Sequence, residues 1–296
     1  MRREEKRTIM ENEKSEVKSP SKVGTVFFGI WVAVAALLIQ GAIGLVGVIP
    51  MAVISLQEAN GDMELYQSIY LDKVTNSSML TYVQFVASAV YLIVVVIWYY
   101  NGYVKPKKQA GTYESVVPKI TKLDAILTMF FGAIGIYGID VLIQRAASAM
   151  MPNAKDMLNT ALSLTLNGNE VVGLIIAVIL APIAEEMAVR GIVIQKSKKC
   201  FGVVGCMVMS ALVFAIMHGN PIQGLYVIPM GLFYGYICYM YDSAVPGIIC
   251  HMINNLIGTT IGGTTGILVA AGCSIAALIF LEAGKRIKKN KEADEA

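Results

Sequence analysis

The sequence predicts an all-α membrane protein, a polytopic bundle of about eight transmembrane helices. Three observations support this fold class. The chain of 296 residues is 56% hydrophobic and only 15% charged, whereas soluble domains contain about 25% charged residues. The apolar residues form runs close to the ~20 residues that a helix needs to cross the hydrocarbon core. The basic residues are concentrated in a few short segments outside those runs.

Eight apolar runs qualify as predicted spans. They cover residues 23–49, 79–100, 125–143, 171–194, 201–217, 225–241, 244–261 and 265–281. Residues 1–22 are charged and nearly free of large apolar side chains, which is typical of a disordered tail. The run after this tail is too long for a signal peptide and lacks a clear cleavage site. The two longest connections, about 57–78 and 146–169, have room for short amphipathic helices.

The distribution of Lys and Arg predicts that both ends of the chain are cytoplasmic. Seven of these residues lie in 1–22, five in 101–124, three in 196–199 and five in 285–291, which makes twenty of the 24. An even number of spans places all four segments on one side of the bilayer, and short basic segments face the cytoplasm. We therefore expect a multi-pass protein of the cell membrane, surrounded by membrane lipid.

Other partner classes are disfavoured by the composition. The net charge is +3, and no basic patch is interleaved with aromatic residues, so nucleic acid is not an expected partner. The five cysteines form no CxxC pair and lie in or beside apolar runs. They are interpreted as small hydrophobic residues rather than as a disulfide framework.

The fourth predicted span contains three ionisable side chains, Glu185, Glu186 and Arg190. Each costs at least ~2.5–3.5 kcal/mol at the bilayer centre, so such groups indicate a functional site. On a helix Glu186 and Arg190 face each other, being four residues apart, while Glu185 points about 100° away from Glu186. This spacing predicts that Arg190 neutralises Glu186 and that Glu185 is free to act on another group. The alternative is a purely structural ion pair, which needs no second carboxylate.

Pro182 precedes the acid pair and has no N–H. In an α-helix it would leave the carbonyl of Val178 unpaired and kink the span, which would open room for water at the site. The depths of the polar groups raise a difficulty. Glu185 is ~16 Å from Lys196 along its helix, but His218 would be ~28 Å from Lys199 if the fifth span were continuous and upright. That span must therefore tilt, start late or sit deep in the cytoplasmic face.

The chain contains only two histidines, His218 and His251, and both lie in or at the end of predicted spans. Histidine is the side chain best suited to proton transfer and metal ligation near neutral pH. Phe214 lies one turn before His218 and can support its ring, and Asn255 lies one turn after His251 on the same face. An imidazole and a carboxamide side by side can donate to a developing oxyanion. The alternative for both the histidines and Asn255 is hydrogen bonding between helices.

These motifs resemble the CPBP family, which comprises CAAX-type prenyl-protein endopeptidases and bacteriocin-processing or immunity proteins. The motifs are EExxxRG, FxxxH and HxxxN, in this order on successive predicted spans. The matching positions are Glu185, Glu186 and Arg190, then Phe214 and His218, then His251 and Asn255. One departure is Ala188-Val189 before the arginine, where members often carry a bulky or aromatic residue. The resemblance covers about residues 170–260 and implies hydrolysis of a peptide bond within the bilayer, in a membrane-associated peptide or protein substrate.

The resemblance divides the chain into four regions. They are a cytoplasmic tail (1–22), N-terminal transmembrane helices (23–168), a CAAX-protease-like catalytic core (169–262), and a last helix with a basic tail (263–296). It implies that Glu185, Glu186, His218, His251 and Asn255 are catalytic, with Arg190 and Phe214 supporting them.

The residues allow two mechanisms. In the first, Glu185 and His218 activate a water molecule, while His251 and Asn255 stabilise the tetrahedral oxyanion. In the second, Glu185, His218 and His251 bind Zn²⁺ in the three-ligand-plus-water pattern of catalytic zinc sites. Against zinc, the chain has no HExxH helix, and the ligands would come from three separate spans. We favour the metal-independent mechanism, so the expected cofactor is none, with zinc as the alternative.

Two other classes of protein are compatible with these residues. A non-catalytic scaffold of the bacteriocin-immunity type would share the family motifs without turnover. A transporter would also place Glu, Arg and His inside a helix bundle, but it usually shows matched halves with broken helices. Here all of the chemistry lies in the second half of the chain. The discriminating feature is whether Glu185 and both histidines meet at one site.

Overall fold

The computed structural model describes residues 21–261 except residues 77 and 167, together with residues 265, 268, 271 and 272. Ten helices and no strand occur in this part of the chain. They are α1 (Lys22–Ala59), α2 (Met63–Asn76), α3 (Ser78–Tyr99), α4 (Val117–Ile120), α5 (Leu123–Met150), α6 (Pro152–Leu166), α7 (Glu170–Ser197), α8 (Val203–Met217), α9 (Pro221–Tyr241) and α10 (Val245–Thr260). Helix α3 continues through a π-helical turn, Tyr100–Val104, into Lys105–Gln109. The predicted N-terminal tail and nearly all of the predicted last span and basic tail lie outside the described residues.

Four of the described helices are long and apolar enough to cross a membrane by length and composition. They are Lys22–Ala59, Ser78–Gln109, Leu123–Met150 and Glu170–Ser197, and Val203–Met217 is a shorter apolar helix. This confirms the predicted all-α, multi-pass membrane bundle, whereas the number of eight spans stays a prediction. The two long connections contain α2 and α6, as their length allowed. Helix α1 has 38 residues and continues past its predicted end through Pro50.

Contacts between distant segments define two ends of the bundle. At the first, which we call the basic end, Lys107, Gln195 and Lys198 donate to Asp242 over 2.6, 3.0 and 2.6 Å. Two predicted cytoplasmic segments, 101–124 and 196–199, therefore lie on the same side. Lys196 also lies 4.5 Å from the ring centroid of Phe28, which brings the start of α1 to this end.

The opposite end is held by side-chain bonds to main-chain carbonyls. The hydroxyl of Ser78 donates to Gly168 over 3.1 Å, and the carboxamide of Asn220 donates to Ala154 over 3.0 Å. These bonds join the start of α3 to the start of α7, and α6 to the start of α9. Helices α7 and α9 therefore run from this end to the basic end, and α8 runs the other way between them.

The carboxyl group of Asp242 is expected to make the stability of the basic end depend on pH. Partial burial would raise its pKa, but hydrogen bonds from Lys107, Lys198 and Gln195 outweigh burial and lower the pKa from 3.8 to about 2. The resulting stabilisation is present above about pH 4 and is lost as the pH falls toward about 2. Thermal unfolding in detergent across this range should show the loss in the wild type and a flatter profile in Asp242→Asn. Equal slopes in the two proteins would contradict the prediction.

Helices α8 and α9 pack closely at two glycines of α9. A Cβ added at Gly231 would lie 2.6 Å from Ala211 Cα, and one added at Gly235 would lie 3.1 Å from Ser210. Both distances are shorter than ordinary van der Waals contact, so only glycine lets the backbones approach this closely. Gly231 and Gly235 therefore form a helix-packing motif of α9.

Candidate active site

The acid pair lies between two π-helical turns of α7. These turns span Ile176–Leu180 and Met187–Val193, and the α-helical turn between them is Ala181–Glu186. Single π-helical turns inside α-helices are rare and occur frequently at functional sites. Glu185 and Glu186 are thus presented by a locally irregular segment of a long apolar helix.

The first π-helical turn corrects the prediction about Pro182. The N–H of Ala181 donates to Ile176, five residues back, instead of to Ala177. In this register an N–H at residue 182 would donate to the next carbonyl, that of Ala177. Residue 182 is a proline and has no N–H. The carbonyl left without a helical donor is therefore Ala177 rather than Val178, because the prediction assumed α-helical spacing.

Glu186 and Arg190 form the predicted ion pair. The guanidinium Nη1 donates to Glu186 Oε1 over 2.8 Å, and both side chains are 0% exposed. The side chain of Glu185 is 22% exposed, and Arg190 does not pair with it. The two adjacent carboxylates therefore have different environments, one neutralised in the interior and one reaching a partly open surface.

Arg190 is held on its faces by aromatic rings. Its guanidinium carbon lies 4.4 Å from the ring centroid of Phe214 and 5.8 Å from that of Tyr234. Its Nε and Nη2 atoms have no hydrogen-bond acceptor among the described residues. Cation–π attraction, which strengthens when the cation is desolvated, takes the place of those bonds.

His251 lies between the two carboxylates. Its Nδ1 is 3.1 Å from Glu186 Oε1, and its Nε2 is 4.0 Å from Glu185 Oε2. Because the paired carboxylate of Glu186 is an acceptor, Nδ1 carries the proton and donates. The 4.0 Å separation is too long for a direct hydrogen bond, and it leaves Nε2 and Glu185 facing the same small space.

His218 has a defined tautomer in its neutral form. Its Nδ1 lies 2.7 Å from the carbonyl oxygen of Phe214. A carbonyl only accepts, so Nδ1 donates and Nε2 keeps its lone pair. The ring of Phe214 packs edge-on against both imidazoles, with centroid distances of 4.7 Å to His218 and 5.6 Å to His251. Phe214 thus connects the two histidines, and His218 is an electrostatic neighbour of Glu185.

Asn255 contacts helix α7. Its Nδ2 donates over 2.8 Å to the carbonyl of Ala177, inside the first π-helical turn. The predicted partner of this carboxamide was a developing oxyanion beside His251. The structure gives Asn255 a partner in the protein, on the helix that carries the acids.

A late helix start reduces the predicted difference in depth between His218 and Glu185. Helix α8 begins at Val203 and has 15 residues, so its end at Met217 is ~22 Å along the axis. His218 is the residue that caps this helix. The shorter helix removes several ångströms of the predicted offset between His218 and Glu185.

Two further residues at the site were missed by the sequence analysis. Tyr234 donates to the carbonyl of Cys250 over 3.1 Å, beside His251 in the chain, and packs against Arg190. At Gly247, an added Cβ would lie 2.5 Å from Glu186 Oε2 and 2.7 Å from Cys238 Sγ. The contacts of Tyr234 and Gly247 depend on how the helices pack against one another, which no local sequence pattern encodes.

Binding of Zn²⁺ by Glu185, His218 and His251 stays a prediction, and the distances between these side chains bear on it. Tetrahedral Zn²⁺ with bonds of 2.0–2.2 Å requires donor atoms about 3.3 Å apart. Glu185 Oε2 and His251 Nε2 are 4.0 Å apart. Within the described part of the chain, no three His, Cys, Asp or Glu side chains are grouped closely enough to hold a metal ion.

The geometry describes a helical membrane protein with a buried acid, a partly exposed acid and two histidines inside its bundle. Comparison with known proteins agrees with that class. Residues 167–257 match the family described as type II CAAX prenyl endopeptidase Rce1-like. This segment is thus similar to that family within a multi-pass membrane protein, which confirms the resemblance to the CPBP family found in the motifs. No curated protein and no solved structure matches the chain.

Proposed function

We propose that this protein is an intramembrane endopeptidase that hydrolyses a peptide bond of a membrane-associated protein or peptide. The observation that carries the proposal is the unequal environment of the acid pair. Arg190 and His251 both bind Glu186, while the partly exposed Glu185 faces His251 Nε2 across 4.0 Å. A hydrolase needs two different carboxylates at such a site. One holds the neighbouring side chains in position, and the other is accessible to water and can act as a base.

Each side chain has a role in this mechanism. Glu185, with the lone pair of His218 Nε2 nearby, takes a proton from water as the water oxygen attacks the carbonyl carbon. His251, held by Glu186, stabilises the oxyanion that forms. When the tetrahedral intermediate collapses, the C–N bond breaks and the protonated Glu185 returns the proton to the leaving amine. Arg190 and Phe214 keep Glu186 and the two imidazoles in place.

We propose that the mechanism requires no metal, so hydrolysis should survive complete metal removal. Purified protein is stripped with a chelator, analysed for metal content and assayed with a farnesylated CAAX-type peptide in detergent micelles. An unprenylated peptide of the same sequence serves as the control for substrate class. Activity that disappears on metal removal and returns with Zn²⁺ would contradict this mechanism. Absence of cleavage under all conditions would favour the immunity-type scaffold.

The orientation of the protein is part of the proposal. The basic end contains the basic segments 101–124 and 196–199 together with Asp242. Basic segments remain in the cytoplasm during insertion. We place this end, and both termini of the chain, on the cytoplasmic side of the cell membrane.

A further inference from the structure

We propose that Asn255 is a positioning residue that replaces the hydrogen bond lost at Pro182 and so holds the turn that presents Glu185. This inference rests on the proposed function for its catalytic consequences. It differs from the role that the family motif implies, in which the carboxamide donates to the oxyanion.

The argument begins with the hydrogen-bond register of α7. Ala181 donates to Ile176, so the helix has π-helical spacing at this point. The next donor in that spacing would be residue 182 and the next acceptor Ala177. Pro182 cannot donate, which leaves a backbone carbonyl inside an apolar bundle without its helical partner.

Asn255 supplies that donor from another helix. Its Nδ2 lies 2.8 Å from Ala177 O, a good distance for an amide–carbonyl bond. A carbonyl without a donor is costly in apolar surroundings, so the bond favours the register in which Ala177 is accessible from α10. Glu185 lies eight residues after Ala177 on the same helix, and the register therefore fixes where its carboxylate points.

The same bond also links the two halves of the site. Asn255 is one turn from His251 on α10, and His251 Nδ1 bonds Glu186 over 3.1 Å. Helices α7 and α10 are thus joined by two polar contacts, one on each side of Glu185 in the sequence of α7. Loss of the Asn255 contact should change the position of Glu185 relative to His251 Nε2.

A double-mutant cycle tests this role directly. Pro182→Ala restores an N–H at residue 182, which can then donate to Ala177 without help from Asn255. In the wild-type background, Asn255→Ala should lower kcat by about 5- to 10-fold, the effect of one buried hydrogen bond, and should lower the unfolding temperature. In the Pro182→Ala background, the same substitution should lower kcat by less than about 2-fold, with a smaller shift in unfolding temperature.

The neighbouring carboxamide provides the matched control. Asn254 is also buried on α10, and its side chain interacts with Asp140 of α5 rather than with Ala177. Asn254→Ala should therefore have the same effect with proline or alanine at residue 182. Coupling seen equally for Asn254 and Asn255 would contradict a specific bond to Ala177.

The outcomes separate this inference from the proposed function. An equal loss of about 10²–10³-fold in both backgrounds would identify Asn255 as an oxyanion donor and overturn the positioning role. Additive shifts in unfolding temperature would also overturn it. If no variant and not even the wild type hydrolyses peptide, while the unfolding temperatures remain coupled, the positioning role is supported and the proposed function fails.

Discussion

Substitution of Glu185 by Gln is expected to abolish hydrolysis and to leave the fold intact. Glutamine keeps the shape of the side chain but cannot take a proton from water. Loss of a general base costs about 10²–10⁴-fold in rate. The side chain is 22% exposed and does not pair with Arg190, so no buried charge loses its partner. Rates of peptide cleavage and thermal unfolding in detergent, measured on the same preparations, check both parts of the expectation.

The adjacent carboxylate provides the matched control for this experiment. Glu186→Gln makes the same chemical change one residue away, but it leaves Arg190 buried beside a neutral amide and replaces the charged acceptor of His251 Nδ1 with a neutral one. We expect a clear loss of folded protein in this variant and little in Glu185→Gln. Similar losses of folded protein in both variants would show that the two acids do not have separate roles.

The contacts within one helix could be predicted from the sequence. The Glu186–Arg190 pair follows from four-residue spacing, and Arg190 still reaches Glu186 although its own turn is π-helical. Phe214 was expected to support His218 one turn away, and the two rings are 4.7 Å apart. Such contacts depend on helical geometry alone, which sequence spacing encodes.

The contacts between helices could not be predicted in the same way. No sequence pattern places Asn255 against Ala177, Gly247 against Glu186, or Tyr234 against Arg190. Each requires the rotation and depth of two helices, and a change of register in α7 altered even the carbonyl that Pro182 affects. Hydropathy located the apolar runs, but it does not encode rotation about a helix axis.

The bundle itself was predictable because its signals are compositional. The apolar runs predicted the helices. The distribution of Lys and Arg assigned two segments to one side of the membrane, and both of these segments contact Asp242. The ends of the helices were less predictable. Helix α1 continues past Pro50, and α8 starts two residues after the beginning of its predicted span. Proline inside a membrane helix is tolerated when neighbouring groups satisfy the freed backbone, which only the packed structure determines.

Removal of the buried cation should be the most destabilising single change at the site. Arg190→Ala leaves Glu186 ionised in the interior with His251 as its only described hydrogen-bond donor, and it empties the space between Phe214 and Tyr234. Breaking a buried pair by deleting one partner costs about 3–5 kcal/mol. We therefore expect a large fall in folded yield and unfolding temperature, together with loss of hydrolysis. Arg190→Lys should recover little of this loss, because an ammonium lacks the planar face that stacks on the rings.

A surface ion pair of similar length provides the control. Lys119 lies 2.7 Å from Glu114, but the two side chains are 48% and 75% exposed. Solvent screens such a pair, so its removal costs little stability. Lys119→Ala should therefore unfold close to the wild-type temperature and retain activity. If Arg190→Ala were as mild as Lys119→Ala, the buried pair would not be what holds Glu186 and His251 in place, and the separation of roles between the two acids would have to be abandoned.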